Sequence, residues 1–412
     1  FADYFNDDII IENRAMGGRS SKSYDNDGRL DRILTEMHPG DYVFIQFGIN
    51  DGAENKPERY ISVEDYKKLI TDKYIGEVEK RGGTPVLMTA NAAAWWDEEN
   101  NCFMESRKDY ADPTREIAEE TGCKFIDENK IVTDAWNSMS KNRVLSGYFI
   151  CEPLESKAYP SGTNDTTHMK AKGAKRVAKL IADAIPENVP ELAKYLKGDE
   201  TFTDIQGHWA EDVIKTLAEN DKVSGVGDGK FNPDGTVTRA EFLKMAMDSL
   251  GIVGHAYRDG ECLDATNDDW YCYYLQGALD KDIIPEEMIE DCDFTNVTKT
   301  LKESTEKEKA VRANVNVYTG KFYGDKPITR EEMAVIATRC KNYKMRNWRD
   351  WDNERRIPVF SFKDSDEIDE KYISYVVHAY NLKYIDGMED GRFAPKENLT
   401  RAQAAVVMNN LK

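Results

Sequence analysis

The chain has 412 residues, 40% of them hydrophobic and 32% charged, which indicates a globular protein long enough to form two or more domains. Its formal net charge of −20 argues against nucleic acid or an anionic membrane as a partner, because those surfaces bind concentrated positive charge. The seven cysteines form no CxxC pair and no Cys/His cluster, so no metal site and no cofactor are predicted. No apolar run reaches the length of a transmembrane helix.

Short apolar runs alternate with amphipathic segments from residue 1 to 185, a pattern typical of an α/β domain with a parallel sheet. The predicted strands lie at 9–11, 42–47, 85–89 and 124–127, and the predicted helices begin at Ser62 and span 113–120 and 170–185. Ser62 and Asp65 have the spacing of a helix cap, and Gly82-Gly83 ends that helix. Residues 186–200 contain two prolines and are mostly polar, so a linker is predicted there.

After the linker the chain repeats itself in three units, the predicted boundaries of which are 201–251, 257–343 and 358–412. Each unit contains a helix that opens with Thr-Arg-x-Glu or Thr-Arg-x-Gln, at Thr238, Thr329 and Thr400. The spacing of Thr and Glu/Gln is that of a capping box, and repeated helix pairs bury their apolar faces against one another. The middle unit carries a polar insertion at about 285–325, predicted to be a surface excursion.

Three blocks in the first domain carry residue types suited to acyl transfer. A glycine turn around Gly18 leaves a backbone N–H free to meet an oxyanion. Asn50 follows an apolar strand, at the sheet edge where ligands bind in α/β folds. Asp165 and His168 are spaced so that the carboxylate can orient the imidazole as a general base. Singly, each block also has a plain structural explanation as a turn or a helix start.

Together and in this order, the blocks NRAMGGRSSKS, DYVFIQFGIND and DTTHMKAKGA resemble the SGNH, or GDSL-like, hydrolases, most closely the rhamnogalacturonan acetylesterase branch. The resemblance covers residues 1–185 and implies a three-layer αβα fold with a doubly wound parallel sheet. It implies that Gly18 and Asn50 form the oxyanion hole, with Asp165 as orienter and His168 as base. Ile49 stands where that branch has a histidine.

The same resemblance places the nucleophilic serine in a Gly-Asp-Ser block on a strand about thirty residues before Asn13, and that block is absent from the sequence. Ser20, Ser21 and Ser23 follow the oxyanion glycine itself, so they are not expected to replace the nucleophile. The first domain is therefore expected to lack its first strand, and residues 1–412 alone are expected to have no esterase activity.

Two adjacent tryptophans, Trp95 and Trp96, follow the strand predicted at 85–89. Exposed tryptophans stack on sugar rings, so both are candidate substrate-binding residues. Burial of one of them beneath the loop is an equally good explanation.

The second half resembles S-layer homology (SLH) repeats through Phe202-Thr203-Asp204, Trp209, the loop Gly225 to Gly235 and the three Thr-Arg openings. The resemblance implies an all-α pseudo-threefold domain that binds pyruvylated secondary cell-wall polymer between its units. In that case Trp209 and the arginines would contact the polymer, with the guanidinium forks on ketal carboxylates. The alternative is that each arginine pairs with a nearby acid. The candidate arginines are Arg239, Arg330 and Arg401.

The two resemblances predict a serine esterase, anchored to the wall of a Gram-positive bacterium, that removes acetyl groups from a plant polysaccharide of the rhamnogalacturonan or xylan type. Two alternatives remain open at this point. One is a non-catalytic surface protein that only binds the wall or polysaccharide, and the other is an SGNH esterase or lipase acting on a different acyl ester.

Overall fold

The computed structural model describes residues 1–197, 202–219, 222–256, 263–266, 268–302, 310–345 and 362–411. The predicted boundaries at 200, 201, 257 and 358 therefore lie outside the described residues. The chain divides into two compact units, Phe1–Ile150 with Asp165–Gly198, and Cys151–Asn164 with Asp199–Lys412. Within the described ranges, no helix has both the length and the apolarity required to cross a bilayer.

The first unit alternates helices and strands along the chain. Its strands are β1 (Tyr42–Gln46), β2 (Thr84–Met88), β3 (Trp96–Asp97), β4 (Cys102–Phe103) and β5 (Lys124–Ile126). Its α-helices are α1 (Ser21–Asn26), α2 (Arg29–Glu36), α3 (Val63–Leu69), α4 (Gly76–Lys80), α5 (Lys108–Thr121), α6 (Glu128–Asn137), α7 (Lys141–Val144) and α8 (Ala171–Asn188). Shorter 3-10 or π-helical turns span Ala2–Tyr4, Ile70–Ile75, Leu145–Phe149 and Pro190–Tyr195.

The main sheet of this unit is parallel, in the order β1-β2-β5, which confirms the predicted α/β architecture. Successive residues of β2 point into opposite cores: Val86 and Met88 pack toward α6 and α8, whereas Leu87 packs toward α3, α4 and α5. This alternation follows from the two-residue period of a strand. The sheet is therefore covered by helices on both faces, as a three-layer αβα fold requires.

Three local predictions differ from the structure. Residues 9–11 form no strand, and Ile10 is 89% exposed, because three apolar residues without a neighbouring strand have no ladder to join. Helix α5 begins five residues before Pro113, since Tyr110 buries its side chain in the same core as Ile117. Ala174 is exposed, and Gly173 occupies the buried position beside it in α8.

The predicted linker also differs from the structure over its first part. Helix α8 continues through Pro186 to Asn188, and a 3-10 turn follows. Val189 and Leu192 are buried in the same core as Trp136, and Leu196 forms an isolated antiparallel bridge with Phe5. Apolar burial thus keeps this stretch on the first domain despite its prolines.

In the part of the second unit that the structure describes, the main elements are three helix pairs and one hairpin. Its helices are α9 (Glu211–Glu219), α10 (Arg239–Leu250), α11 (Cys272–Asp280), α12 (Arg330–Met345), α13 (Ile373–Asn381) and α14 (Arg401–Asn410), with short 3-10 turns at Glu286–Met288, Ser365–Glu367 and Glu370–Tyr372. Its strands are β6 (Glu290–Lys302) and β7 (Ala310–Lys321). The predicted capping boxes are present at all three Thr-Arg openings.

A closed ring of backbone hydrogen bonds joins the three repeats at their centre. The Val237 N–H donates to the Leu399 carbonyl at 3.0 Å, the Leu399 N–H to that of Ile328 at 3.0 Å, and the Ile328 N–H to that of Val237 at 2.9 Å. Each bond leads from one repeat to another, and the third closes the circle. The ring gives the domain its pseudo-threefold symmetry and satisfies backbone groups at buried positions.

The insertion in the middle repeat forms an antiparallel hairpin of β6 and β7, for which the sequence analysis predicted no strands. Its composition is polar, yet apolar and polar residues alternate along β7, as on a strand with two unlike faces. Asn296 and Asn316 pair across the hairpin at 2.7 Å, and Gln276 of α11 donates to the Asn316 carbonyl. The hairpin is therefore tied to the helical part of its own repeat.

Candidate active site and inter-repeat grooves

Asp165 and His168 form a hydrogen-bonded pair in the loop before α8. Asp165 Oδ2 lies 2.7 Å from His168 Nδ1, while Oδ1 accepts the backbone N–H groups of Thr167 and His168 at 2.7 and 2.9 Å. Burial raises the pKa of Asp165, but these hydrogen bonds outweigh it and leave the pKa below its ordinary value. Asp165 therefore stays ionised near neutral pH and directs Nε2 of the exposed imidazole outward.

Two contacts hold this loop against the sheet edge. The Ala94 N–H donates to the Thr166 carbonyl at 2.8 Å, which joins the loop to the segment following β2. At the start of α8, Gly173 approaches Tyr148 so closely that an added Cβ would lie 2.8 Å from the Tyr148 carbonyl oxygen. Only glycine permits this approach. The glycine that follows His168 in the DTTHMKAKGA block thus sets the position of the helix.

Gly18 and Asn50 come together at the end of β1. The Asn50 side-chain amide donates to the Arg19 carbonyl at 3.1 Å, directly next to Gly18. Gly18 has a φ of +75°, a backbone conformation that favours glycine, and its N–H makes no hydrogen bond within the described residues. The Gly18 N–H and the second N–H of the Asn50 amide are therefore neighbouring donors. Two donors that stabilise one oxyanion must lie close together in this way.

Asp51 holds together the region where Gly18 and Asn50 meet, and the sequence patterns did not single it out. It is fully buried and accepts hydrogen bonds from the Ser21 N–H, the Ser21 hydroxyl and the Gly48 N–H at 2.8, 2.5 and 2.9 Å. Burial raises the pKa of Asp51, and the hydrogen bonds oppose that effect. Asp51 thus connects α1 to the loop after β1 and supports the Asn50–Arg19 contact.

The serines after the glycine turn have structural roles. Ser20 is fully buried and caps α1 by accepting the Ser23 N–H, while the Ser23 hydroxyl bonds back to Ser20. Ser21 is also fully buried and donates to Asp51. None of the three has an accessible, unengaged hydroxyl, which agrees with the expectation that they do not act as nucleophiles.

The two tryptophans have different environments. Trp95 is 39% exposed and lines a cavity of about 480 Å³ together with Ile49. Trp96 packs edge-to-face on Phe103 at 4.8 Å, and its Nε1–H donates to Glu98. The exposed Trp95 side chain is thus available to a ligand that binds near Asn50. The Trp96 side chain instead packs mainly within the two-stranded sheet of β3 and β4.

In the second unit, each candidate arginine reaches into the next repeat. Arg239 donates to the Phe322 carbonyl, Arg330 to that of Phe393, and Arg401 to that of Phe231, at 2.6, 2.7 and 2.7 Å. Each guanidinium also lies over the ring of the same phenylalanine, at 5.8, 5.1 and 4.8 Å. The arginines are only 6%, 6% and 8% exposed, so they hold the repeats together in a closed circle.

The three arginines differ in which guanidinium nitrogens make hydrogen bonds. Arg239 also donates through Nε and Nη2 to Glu332, so every nitrogen of its guanidinium is used, as the ion-pair alternative proposed. Arg330 and Arg401 each use Nε and Nη2 for backbone carbonyls. Within the described residues, Nη1 of these two arginines makes no hydrogen bond. A ligand carboxylate would therefore meet an open donor at Arg330 and Arg401 but not at Arg239.

One aspartate in each repeat holds the loop that carries the phenylalanine. Asp204, Asp264 and Asp364 each accept two consecutive backbone N–H groups, at 2.7 to 2.9 Å, the first of them from the phenylalanine. The middle repeat thus keeps this arrangement although it lacks the GxxDGxF pattern that the other two repeats have at 225–231 and 387–393. Trp209, the remaining candidate, is 66% exposed and stacks at a tilt on His208 at 5.3 Å.

The first domain has a parallel sheet, and the Asp165–His168 pair and the Gly18 and Asn50 donors lie in loops at the carboxyl ends of its strands. This is the architecture of an α/β acyl hydrolase. Comparison with known families agrees. The chain belongs to the GDSL-like lipase/acylhydrolase family, whose model matches residues 1–176. The S-layer homology domain model matches residues 201–243, 315–334 and 361–405, so the second half consists of the three predicted SLH repeats.

Among curated relatives, the chain is 35% identical over 179 residues to the probable rhamnogalacturonan acetylesterase YesY of Bacillus subtilis, covering 43% of this chain and 77% of the relative. It is 30% identical to the rhamnogalacturonan acetylesterase RhgT of the same species, covering 45% and 78%. It is also 34% identical to the exoglucanase XynX of Acetivibrio thermocellus, covering 52% of this chain and 16% of that enzyme.

Among solved structures, the crystal structure of protein YxiM from Bacillus subtilis matches with 27% identity and a TM-score of 0.35, over 45% of this chain and 46% of that one. A catalytic mutant of Axe2, an acetylxylan esterase from Geobacillus stearothermophilus, matches with 16% identity and a TM-score of 0.30, over 41% and 68%.

Proposed function

We propose that the first domain removes acetyl groups from a plant polysaccharide of the rhamnogalacturonan or xylan type while the SLH repeats hold the protein at the bacterial cell surface. The observation that carries the proposal is the Asp165–His168 pair, with its 2.7 Å contact to Nδ1. The names of the two Bacillus subtilis relatives, both rhamnogalacturonan acetylesterases, support the choice of substrate class.

In the proposed mechanism His168 is the general base, and Asp165 holds its tautomer and stabilises the imidazolium. His168 Nε2 takes the proton of a serine hydroxyl as the serine oxygen attacks the acetyl carbonyl. The Gly18 N–H and the Asn50 amide stabilise the negative charge on the carbonyl oxygen. The sugar hydroxyl leaves with the proton from His168, and water, activated by the same base, then hydrolyses the acetyl-enzyme.

We propose that the nucleophilic serine lies on a further strand that pairs with the open edge of β1. In the described sheet β1 pairs only with β2, so its other edge is free to accept a parallel strand. A strand there would end beside Gly18 and Asn50, because the carboxyl ends of parallel strands share one edge. Ser20 and Ser21 cannot take this role, since both are fully buried.

For the anchor, we propose that the grooves between repeats 201–251, 257–343 and 358–412 bind a pyruvylated secondary cell-wall polymer of a Gram-positive bacterium. Support comes from the buried arginine that joins each repeat to the next, and a planar guanidinium suits a ketal carboxylate. The open Nη1 donors favour Arg330 and Arg401 as direct ligands, with Arg239 as a structural partner of Glu332. Exposed Trp209 provides an apolar surface for the polymer's sugars.

The esterase proposal is tested by measuring acetate release from acetylated rhamnogalacturonan. Two proteins are compared: residues 1–412, and the product of the whole open reading frame in which they occur. We expect the first to be inactive, and the second to be active and to lose about a hundredfold or more of its rate in His168→Ala. His38→Ala is the matched control, because His38 is an exposed histidine outside the proposed site.

Two outcomes would contradict parts of this mechanism. A whole-frame protein that keeps its rate in His168→Ala would show that His168 is not the base. Residues 1–412 that release acetate in a His168-dependent manner would show that the nucleophile lies within this sequence rather than on a strand added beside β1.

A further inference from the structure

The Arg59 side chain lies against the glycine turn that carries one of the two proposed oxyanion donors. A Cβ added at Gly18 would lie 3.6 Å from Arg59 Nη2 and 3.9 Å from both Cζ and Nη1. Because these three guanidinium atoms are at nearly equal distances, the planar group turns its face to the glycine rather than a single N–H. Gly18 is therefore next to a positively charged group that has no role yet in the proposed acyl transfer.

Two hydrogen bonds hold the loop of Arg59 close to both proposed donors. Lys22 of α1 donates through Nζ to the Tyr60 carbonyl at 3.0 Å, which ties the residue after Arg59 to that helix. The Ile61 N–H donates to the Asp51 carbonyl at 3.1 Å, which ties the same loop to the end of β1. The position of Arg59 is therefore set by the two elements that flank the donors, α1 and the loop after β1.

The charges around Arg59 leave its two Nη groups available. Within the described residues, the carboxylate at ion-pair distance is that of Glu58, whose Oε1 lies 3.7 Å from Nε. Water weakens this pair, because the Glu58 side chain is 66% exposed, whereas that of Arg59 is 25% exposed. Nη1 and Nη2 make no hydrogen bond in the part of the chain that the structure describes. Arg19, the next cation along the turn, is engaged by Asp27 at 2.6 Å.

We propose that Arg59 is a positioning residue of the oxyanion hole, which supports the Gly18 turn and places a positive charge beside the oxygen that becomes negative during acyl transfer. The proposal rests on the esterase function proposed above and adds a residue to its site. The ester oxygen is neutral in the ground state and negative in the transition state, so a nearby cation stabilises the transition state more. A partly buried guanidinium acts more strongly than one in water, because the protein screens its charge less.

The test measures kcat and KM for acetate release by the product of the whole open reading frame, in wild type and in three variants. Arg59→Gln and Arg59→Met remove the charge but differ in shape, and Arg59→Lys keeps the charge without the planar group. We expect kcat to fall about tenfold in both neutral variants, less than on removal of a direct oxyanion donor, with KM nearly unchanged. Arg59→Lys should keep a higher kcat than either. Arg81→Gln, at an exposed arginine paired with Glu77, is the control and should match wild type.

The melting temperature of each variant, which we expect to match wild type, separates an effect on the transition state from an effect on the fold. The proposal is overturned if both neutral variants keep the wild-type kcat, if Arg59→Lys is no more active than they are, or if only KM changes. It is also overturned if the melting temperature falls together with kcat in all three variants.

Failure of the esterase proposal gives a different result. A wild-type protein that releases no acetate, or releases it independently of His168, would refute the proposed function, and the role of Arg59 with it. Acetate release that depends on His168 but is unchanged in Arg59→Gln and Arg59→Met would overturn the role of Arg59 alone.

Discussion

Replacing Glu128 with glutamine measures the cost of a buried carboxylate beneath the proposed active-site edge. Glu128 is the first residue of α6 and is 4% exposed, and it accepts a hydrogen bond from Gln46 Nε2 at 2.6 Å. Burial raises the pKa of Glu128 from 4.5 to about 7, and the Gln46 hydrogen bond opposes only part of that rise. The folded protein therefore prefers Glu128 protonated.

The size and sign of the effect follow from this pKa. A tenfold change in an ionisation constant equals about 1.4 kcal/mol, so a carboxyl pKa of about 7 rather than 4.5 corresponds to about 3 kcal/mol. Below pH 4.5 Glu128 is protonated in both the folded and the unfolded chain, and its stability contribution is complete. That contribution is lost as the pH rises to 7 and does not change further above it.

Glutamine keeps the shape and the hydrogen bond to Gln46 but cannot ionise. We therefore expect the stability of Glu128→Gln relative to wild type to increase by about 3 kcal/mol between pH 4.5 and pH 8. Hydrogen exchange of peptides from α6, compared between variant and wild type at each pH, reports on this domain alone. Glu119→Gln, at an exposed position of α5, is the control. A variant-to-wild-type difference that is the same at both pH values would refute the reasoning.

Three other substitutions test the framework of the molecule. Asp51→Asn should lower the unfolding free energy by about 1–3 kcal/mol and reduce acetate release by the whole-frame protein, as measured by thermal denaturation and assay. Gly173→Ala should lower the melting temperature through its clash with Tyr148, although alanine is the better helix former; a raised melting temperature would contradict the packing argument. Arg401→Ala should abolish sedimentation with purified cell walls, whereas Arg392→Ala, at a half-buried position paired with Asp390, should not.

Much of the first domain was predictable because its signals are local. An apolar run such as that of β2 can only be a buried strand when helices flank it, and the Ser62 cap and Gly82-Gly83 bound their helix as expected. The Asp165–His168 contact could also be predicted, since a spacing of three residues in a loop is enough to bring the carboxylate to the imidazole. Predictions failed where packing decided the outcome, as in the early start of α5.

Other features depend on contacts between distant parts of the chain. The Asn50–Arg19 contact joins residues 31 apart, and no local pattern encodes it. Arg59 has no motif of its own, and only the folded chain shows its guanidinium against Gly18. The hairpin of β6 and β7 was missed because its polar composition outweighed a two-residue alternation. The Asp51 contacts had one visible signal, an aspartate directly after Asn50, but a turn explained it equally well.

In the SLH repeats the Thr-Arg-x-Glu/Gln motif recurs at the same position of each repeat and has two roles. A capping box explains the threonine and the acid or amide of Thr-Arg-x-Glu, but it leaves the arginine without a role. In the structure each arginine closes a contact to the next repeat, so removing it should loosen the ring whether or not polymer binds. Arg401→Ala therefore needs a partner experiment, in which melting temperature separates a loosened ring from a lost ligand contact. If sedimentation falls while the melting temperature holds, the open Nη1 donor is the cause; if both fall together, the arginine acts through the fold.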